Sequence, residues 1–160
     1  KENIATLFCP TGPKKNILNQ VMAMELAQKT LQVPLTLHTN IQGYDSPLKR
    51  VSCVRHEWLP EPEYKALIAS SRVNLAVSFC ETFNYQVAEA IMLGTPSIVS
   101  ATIPLPGYEI RNPNDASEIA EAIKRVSEST DLGPRYKSDF EELALRQNRR
   151  CNGILTEKLS

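Results

Sequence analysis

The sequence predicts an α/β fold, a parallel sheet of about six strands with helices on both faces. Three observations carry it. Short apolar runs rich in Val, Ile and Leu alternate along the chain with segments whose apolar residues recur every three or four positions. Turn residues punctuate almost every junction between the two kinds of segment. The chain has 160 residues, 42% of them hydrophobic and 22% charged, enough to bury a full core and too apolar for a disordered segment.

The elements follow in order. Ile4–Phe8 reads as a short buried strand, and Pro10–Pro13 as a turn. A helix then starts near Asn16, with Ile17, Leu18, Val21, Met22 and Leu26 as its apolar positions. Val33–His38 is the second strand and Thr39–Pro47 a loop. Val51–His56 alternates like a third strand. Leu59–Pro62 opens a helix that buries Tyr64, Leu67 and Ile68. Val73–Val77 is the fourth strand, followed by a helix over Tyr85–Leu93 that Gly94 closes. Pro96–Ser100 is the fifth strand and Tyr108–Ile110 a short extended piece. Asp115 with Glu118 has capping-box spacing for a helix burying Ile119, Ile123 and Val126. Ser138 with Glu141 repeats that spacing for a last helix. A division into residues 1–130 and a C-terminal helix and tail, 131–160, follows.

Composition excludes several classes. Lys plus Arg and Asp plus Glu number 18 each, so no basic excess argues for nucleic acid. No window approaches the roughly 18 apolar residues of a membrane span. The residues after Lys1 lack a signal-peptide pattern. Cys9, Cys53, Cys80 and Cys151 have no metal-ligand spacing and fit a reducing compartment, so the cytoplasm is the expected location. Cys9 and Cys80, at the ends of adjacent strands, read as buried small hydrophobes.

Open parallel sheets bind ligands beyond the carboxyl ends of their strands, which selects Cys9–Lys15, His38–Tyr44, His56–Pro60, Ser78–Asn84 and Ser100–Tyr108. Among these, Glu81 stands before the Tyr85–Leu93 helix and Glu89 about one turn inside it. Asn84 is a natural N-cap, with Thr82 as a competitor. Free amides at such a helix start suit a phosphate. The pair of acids also fits plain stabilisation of a positive helix end. Lys15 fits a solvated cation, Trp58 an ordinary aromatic, and His38 and His56 hydrogen-bonded structural residues.

Glu81-Thr-Phe-Asn, the seven-residue step to Glu89, and Ala90-Ile-Met-Leu-Gly-Thr-Pro-Ser-Ile-Val99 resemble the Glu-x7-Glu segment in the C-terminal, donor-binding domain of retaining GT-B glycosyltransferases. Lys15–Ala23, His56–Pro60 and Asn112–Ile123 match weaker flanking pieces, so the likeness covers roughly residues 4–128. It implies a Rossmann-like domain, one half of a GT-B fold, taking a nucleoside diphosphate sugar with no metal and no other cofactor. Glu81 would then bind hydroxyls of the sugar and Glu89 the ribose. The amides of Thr82, Phe83 and Asn84 would hold the distal phosphate, Lys15 would neutralise the departing diphosphate, and the base would lie against Glu57–Pro60 through Leu59. The acceptor would sit on an N-terminal domain that this chain lacks.

The chain departs from the family in three places. Pro10 stands where a second, arginine clamp is usual. Asn84 replaces the glycine of Phe-Gly, and Asn tolerates unusual backbone angles. The loop Ala101–Gly107 is shorter than its counterpart. Two further readings share these residues: a non-catalytic module acting through protein contacts, and half of a sugar epimerase.

Overall fold

The computed structural model describes residues 1–44 and 48–158, with side chains through residue 149. Part of the expected 39–47 loop, Cys151 and the end of the 131–160 tail therefore lie outside the described residues or side chains. Six strands, β1 (Ile4–Leu7), β2 (Thr36–Thr39), β3 (Cys53–Arg55), β4 (Val73–Ala76), β5 (Ser97–Ser100) and β6 (Tyr108–Ile110), form one sheet in the order β3-β2-β1-β4-β5-β6. Every neighbouring pair is parallel. The order reverses between β1 and β4, so the segments leaving these strands diverge and open a crevice there.

Strand alternation separates two cores. Ala5, Leu7, Val73, Leu75 and Ile98 pack with α1 (Ile17–Ala27) and α4 (Ala116–Glu128). Ala76 and Val99 face the other way, onto α3 (Tyr85–Met92) and α5 (Leu132–Lys158). The fifth helix, α2 (Glu61–Ser70), buries Ile68 fully while Tyr64 and Leu67 are half-buried.

Three helical details differ from expectation. On α1 the buried stripe is Ile17, Gln20, Val21, Met24 and Ala27, whereas Leu18 and Met22 face outward. The apolar spacing was shared by two adjacent stripes, and small or polar residues chose between them. Asp115 does cap α4, accepting from Ser117 and Glu118 amides at 2.8 and 3.2 Å. Glu118 instead accepts from the amides of Arg111 and Asn112, both at 2.9 Å, fastening the exit of β6. The last helix begins at Leu132, so Ser138 and Glu141 lie within it and form no cap. Gly133 and Pro134 fall in its first turn, where a missing proline N–H costs nothing.

Gly94 follows α3 with φ 71°, and the amides of Gly94 and Thr95 bond to Ile91 and Ala90 carbonyls at 2.9 and 2.8 Å, a Schellman closure. This turn meets α5 so closely that a Cβ on Gly133 would stand 2.3 Å from the Gly94 carbonyl oxygen.

Candidate functional site

Two contiguous cavities occupy the carboxyl edge of the sheet. The larger, about 520 Å³, lies between β1, the Glu57–Leu59 turn and α2, and Glu89 and Tyr64 both line it. The smaller, about 220 Å³, holds Lys15, Glu81, Phe83 and Asn84. Phe8, Cys9, Pro10 and Gln86 belong to the walls of both.

The loops that carry these residues are pinned by buried polar contacts. Gln20, 1% exposed on α1, donates to the Lys15 carbonyl at 2.8 Å and accepts from the Val77 amide at 2.9 Å. The Phe79 amide donates to the Lys14 carbonyl at 2.8 Å. These three bonds tie the 3-10 turn Pro13–Lys15 to the exit of β4, and Lys15 and Glu81 are ion-paired across that seam. Their side chains are 22% and 15% exposed, so water screens the pair less than it would on an open surface.

At the start of α3, Asn84 is extended (φ −119°) and its side chain accepts from the Val87 amide at 3.1 Å. No left-handed conformation is required there, so asparagine serves in place of glycine. The Gln86 amide lies 2.6 Å from Asn74 and 3.2 Å from the Phe8 amide. Asn74 is itself buried in β4 and donates to Ser97 Oγ at 3.0 Å. The central strand therefore carries a polar line that holds the common wall of the two cavities.

In the larger cavity the Tyr64 hydroxyl shares the lining with Glu89; burial first, and then the charge of Glu89, push its ionisation well above the ordinary range. Phe8 packs edge-on to the Tyr64 ring at 5.6 Å and tilts against His56 at 5.8 Å. His56 stacks on His38 at 5.2 Å, with ring nitrogens 3.1 Å apart. Burial, and then the charge of His56, hold His38 below its usual value, with Glu2 opposing. Cys9 is pushed up to about 11 by burial, against the pull of Lys15, so its thiol is a poor nucleophile at neutral pH.

The sequence-predicted residues thus divide. Lys15, Glu81, Phe83 and Asn84 meet in the small cavity, while Glu89 and Leu59 line the large one. Thr82 is exposed and lines neither. Cys80 is exposed and Cys9 only partly buried, against the expectation for both; each lies just beyond its strand, past the last covered position. Trp58 is 87% exposed at the rim of the large cavity. Gln20, Gln86 and the place of Tyr64 beside Glu89 escaped sequence reasoning. Their polar partners are distant in sequence, and only a glutamine inside an apolar stripe hinted at one of them. Among the described residues, no three His, Cys, Asp or Glu side chains are grouped to hold a metal ion.

No protein-family model matches the chain, and no curated protein sequence does. Solved structures match the whole architecture. A UDP-forming α,α-trehalose-phosphate synthase from Burkholderia xenovorans superposes with a TM-score of 0.66 at 14% identity, over 83% of this chain and 38% of that one. The fold is glycosyltransferase-like. A trehalose-6-phosphate synthase studied for glycosyltransfer with retention gives a TM-score of 0.72 at 10% identity, over 96% of this chain and 44% of its own. The E. coli trehalose-6-phosphate protein bound with UDP-2-fluoro glucose gives 0.66 at 10%, over 87% and 40%. The six-stranded Rossmann-like sheet matches these GT-B neighbours. At such identities the likeness is one of fold, and the chain spans about two fifths of the length of each of these structures. Among the described residues, no helix is long and apolar enough to cross a membrane.

Proposed function

We propose that this chain is the donor-binding half of a glycosyltransferase that moves a sugar from a nucleoside diphosphate sugar to an acceptor. The observation that carries the reading is the pair of joined cavities, one presenting Glu89 and the other Lys15 with Glu81. A nucleoside of ordinary size suits the larger chamber, with its aromatic wall of Phe8, Tyr64 and His56. There Glu89, which lines that chamber beside Tyr64, accepts hydrogen bonds from ribose hydroxyls. The diphosphate crosses the common wall and lies toward Lys15 and the start of α3, where free amides and a positive helix end favour it.

In this mechanism Lys15 stabilises charge that grows on the departing diphosphate, and Glu81 orients the sugar hydroxyls. Neither acid acts as a nucleophile. Pro10 adds no charge, so the phosphate grip rests on Lys15 and backbone amides. The acceptor and the opposing wall of the active site come from a second domain, which accords with the fraction of each structural neighbour that this chain spans. Uracil is the first base to test, because the named neighbours include UDP-forming enzymes.

Calorimetric titration with UDP, GDP and ADP tests the reading, in parallel with Glu89→Ala and Lys15→Ala. Binding of one nucleotide that weakens at least about tenfold in both variants supports it. Absence of binding to the folded chain at millimolar nucleotide overturns the claim that this half holds the donor by itself.

A further inference from the structure

At the opposite, amino edge of the sheet lies a cavity of about 300 Å³ that takes no part in the reading above. It opens where β1 and β4 begin, beside the end of α4 and the start of α5. Lys1, Arg72, Ser127, Ser129, Thr130 and Gly133 are in its lining. Two of these are cations and three carry hydroxyls, and among the described residues no carboxylate lines it. The chain as a whole has no net charge, so this local excess is a property of the cavity.

The cations are held but not neutralised. Arg72 Nη1 donates to the Ser127 carbonyl at 3.1 Å, and its buried Nε–H has no acceptor. Arg72 thus keeps one buried donor without a partner, which native interiors rarely leave. Lys1 Nζ donates to the Ala69 carbonyl and Thr95 Oγ1 at 2.5 and 2.7 Å, both uncharged partners. Burial also lowers the Lys1 ammonium from its ordinary value, a penalty that a bound anion relieves. Asp131 stands just beyond the lining and accepts from the Ser129 hydroxyl at 2.5 Å. Its exposed charge opposes an anion in the cavity, though from the solvent side where screening is strongest.

The geometry points to a second ligand site, separate from the donor chambers, that binds a small phosphate-bearing anion through Arg72 and Lys1 at the amino edge of the sheet. The cavity volume exceeds what a bare phosphate fills, so a phosphate carried on a small polar body fits, with Thr130 offering a hydroxyl. Because α4, β4 and the start of α5 all border the cavity, an occupant ties the last helix to the body of the domain.

Inorganic phosphate is the probe, followed by backbone amide NMR shifts on the chain as it stands and on Arg72→Gln and Asp131→Asn. Saturable millimolar shifts at Arg72, Ser129, Thr130 and Gly133 are expected, weakened about tenfold by Arg72→Gln. Asp131→Asn keeps nearly the same side-chain shape and tightens binding by removing the opposing charge. It therefore tests the site even if Arg72→Gln unfolds the α4 terminus. Shifts confined to the Phe83–Asn84 amides, or none in millimolar phosphate, overturn the proposal. So does a response that Asp131→Asn leaves unchanged. UDP added to the phosphate-loaded chain is expected to bind without displacing phosphate from the amino edge, and competition between them would also overturn it.

Discussion

The Lys15 ammonium and the Glu81 carboxylate are joined directly across the smaller cavity, one from the turn after β1 and the other from the loop after β4. In the proposed role each must release the other, at least in part, when a donor arrives: the lysine toward the diphosphate and the acid toward the sugar. A nucleoside diphosphate without its sugar makes the first demand and not the second.

Glu81→Gln is therefore expected to tighten UDP binding by about three- to tenfold, since a full negative charge a few ångströms from phosphate is removed. The same variant loses affinity for a nucleoside diphosphate sugar relative to UDP. Calorimetry on both ligands checks this. Unchanged UDP affinity would remove Lys15 from the phosphate site.

Tyr64, buried beside Glu89, makes a prediction at high pH. A tyrosine whose ionisation is raised by folding contributes stability in full below its unfolded value of about 10, and the contribution is lost as pH rises above that. Tyr64→Phe removes the titrating group, so the fall in melting temperature between about pH 9 and pH 11 becomes shallower. An unaltered alkaline slope would show that Tyr64 does not titrate with the fold.

His38 gives the acid counterpart. Its value is lowered by burial and by His56, so the stability it contributes is present above the unfolded value of about 6.5 and is lost as pH falls through the lowered one. His38→Asn flattens the stability profile below about pH 6.5 in urea unfolding. A profile that stays steep assigns the acid loss to other groups.

Gly133→Ala sets two effects against each other. Alanine gains about 1 kcal/mol of helix propensity, but its Cβ would stand 2.3 Å from the Gly94 oxygen, a backbone atom in a closed turn that cannot rotate away. The clash is expected to dominate, with a net loss of about 1 to 3 kcal/mol. A melting temperature equal to or above that of the parent would refute the packing of α5 on α3.

The order of strands and helices was legible because each strand is a short apolar run and each helix an apolar stripe, and periodicity reports those directly. Where two stripes overlapped, as with Leu18 and Met22 against Val21 and Met24, sequence spacing did not choose between them. The capping-box spacing of Ser138 and Glu141 put the expected start of the last helix too late, since α5 already runs from Leu132. The motif that suggested Lys15, Glu81 and Glu89 also located the edge of the sheet where all three lie. The partners that orient them were hidden for a simple reason. Tyr64 meets Glu89, and Gln20 meets Val77, only because helices and strands far apart in the chain pack side by side.

The common wall of Phe8, Cys9, Pro10 and Gln86 has a further consequence. Two fragments that enter the chambers separately each lose their own freedom of motion and bind weakly. Joined in one molecule across that wall, the second fragment arrives at an effective concentration that reaches the millimolar range for a short connection. Linked molecules with a nucleoside at one end and an anionic group at the other should therefore outbind the sum of their parts, and a connection too short to clear Pro10 should forfeit that gain.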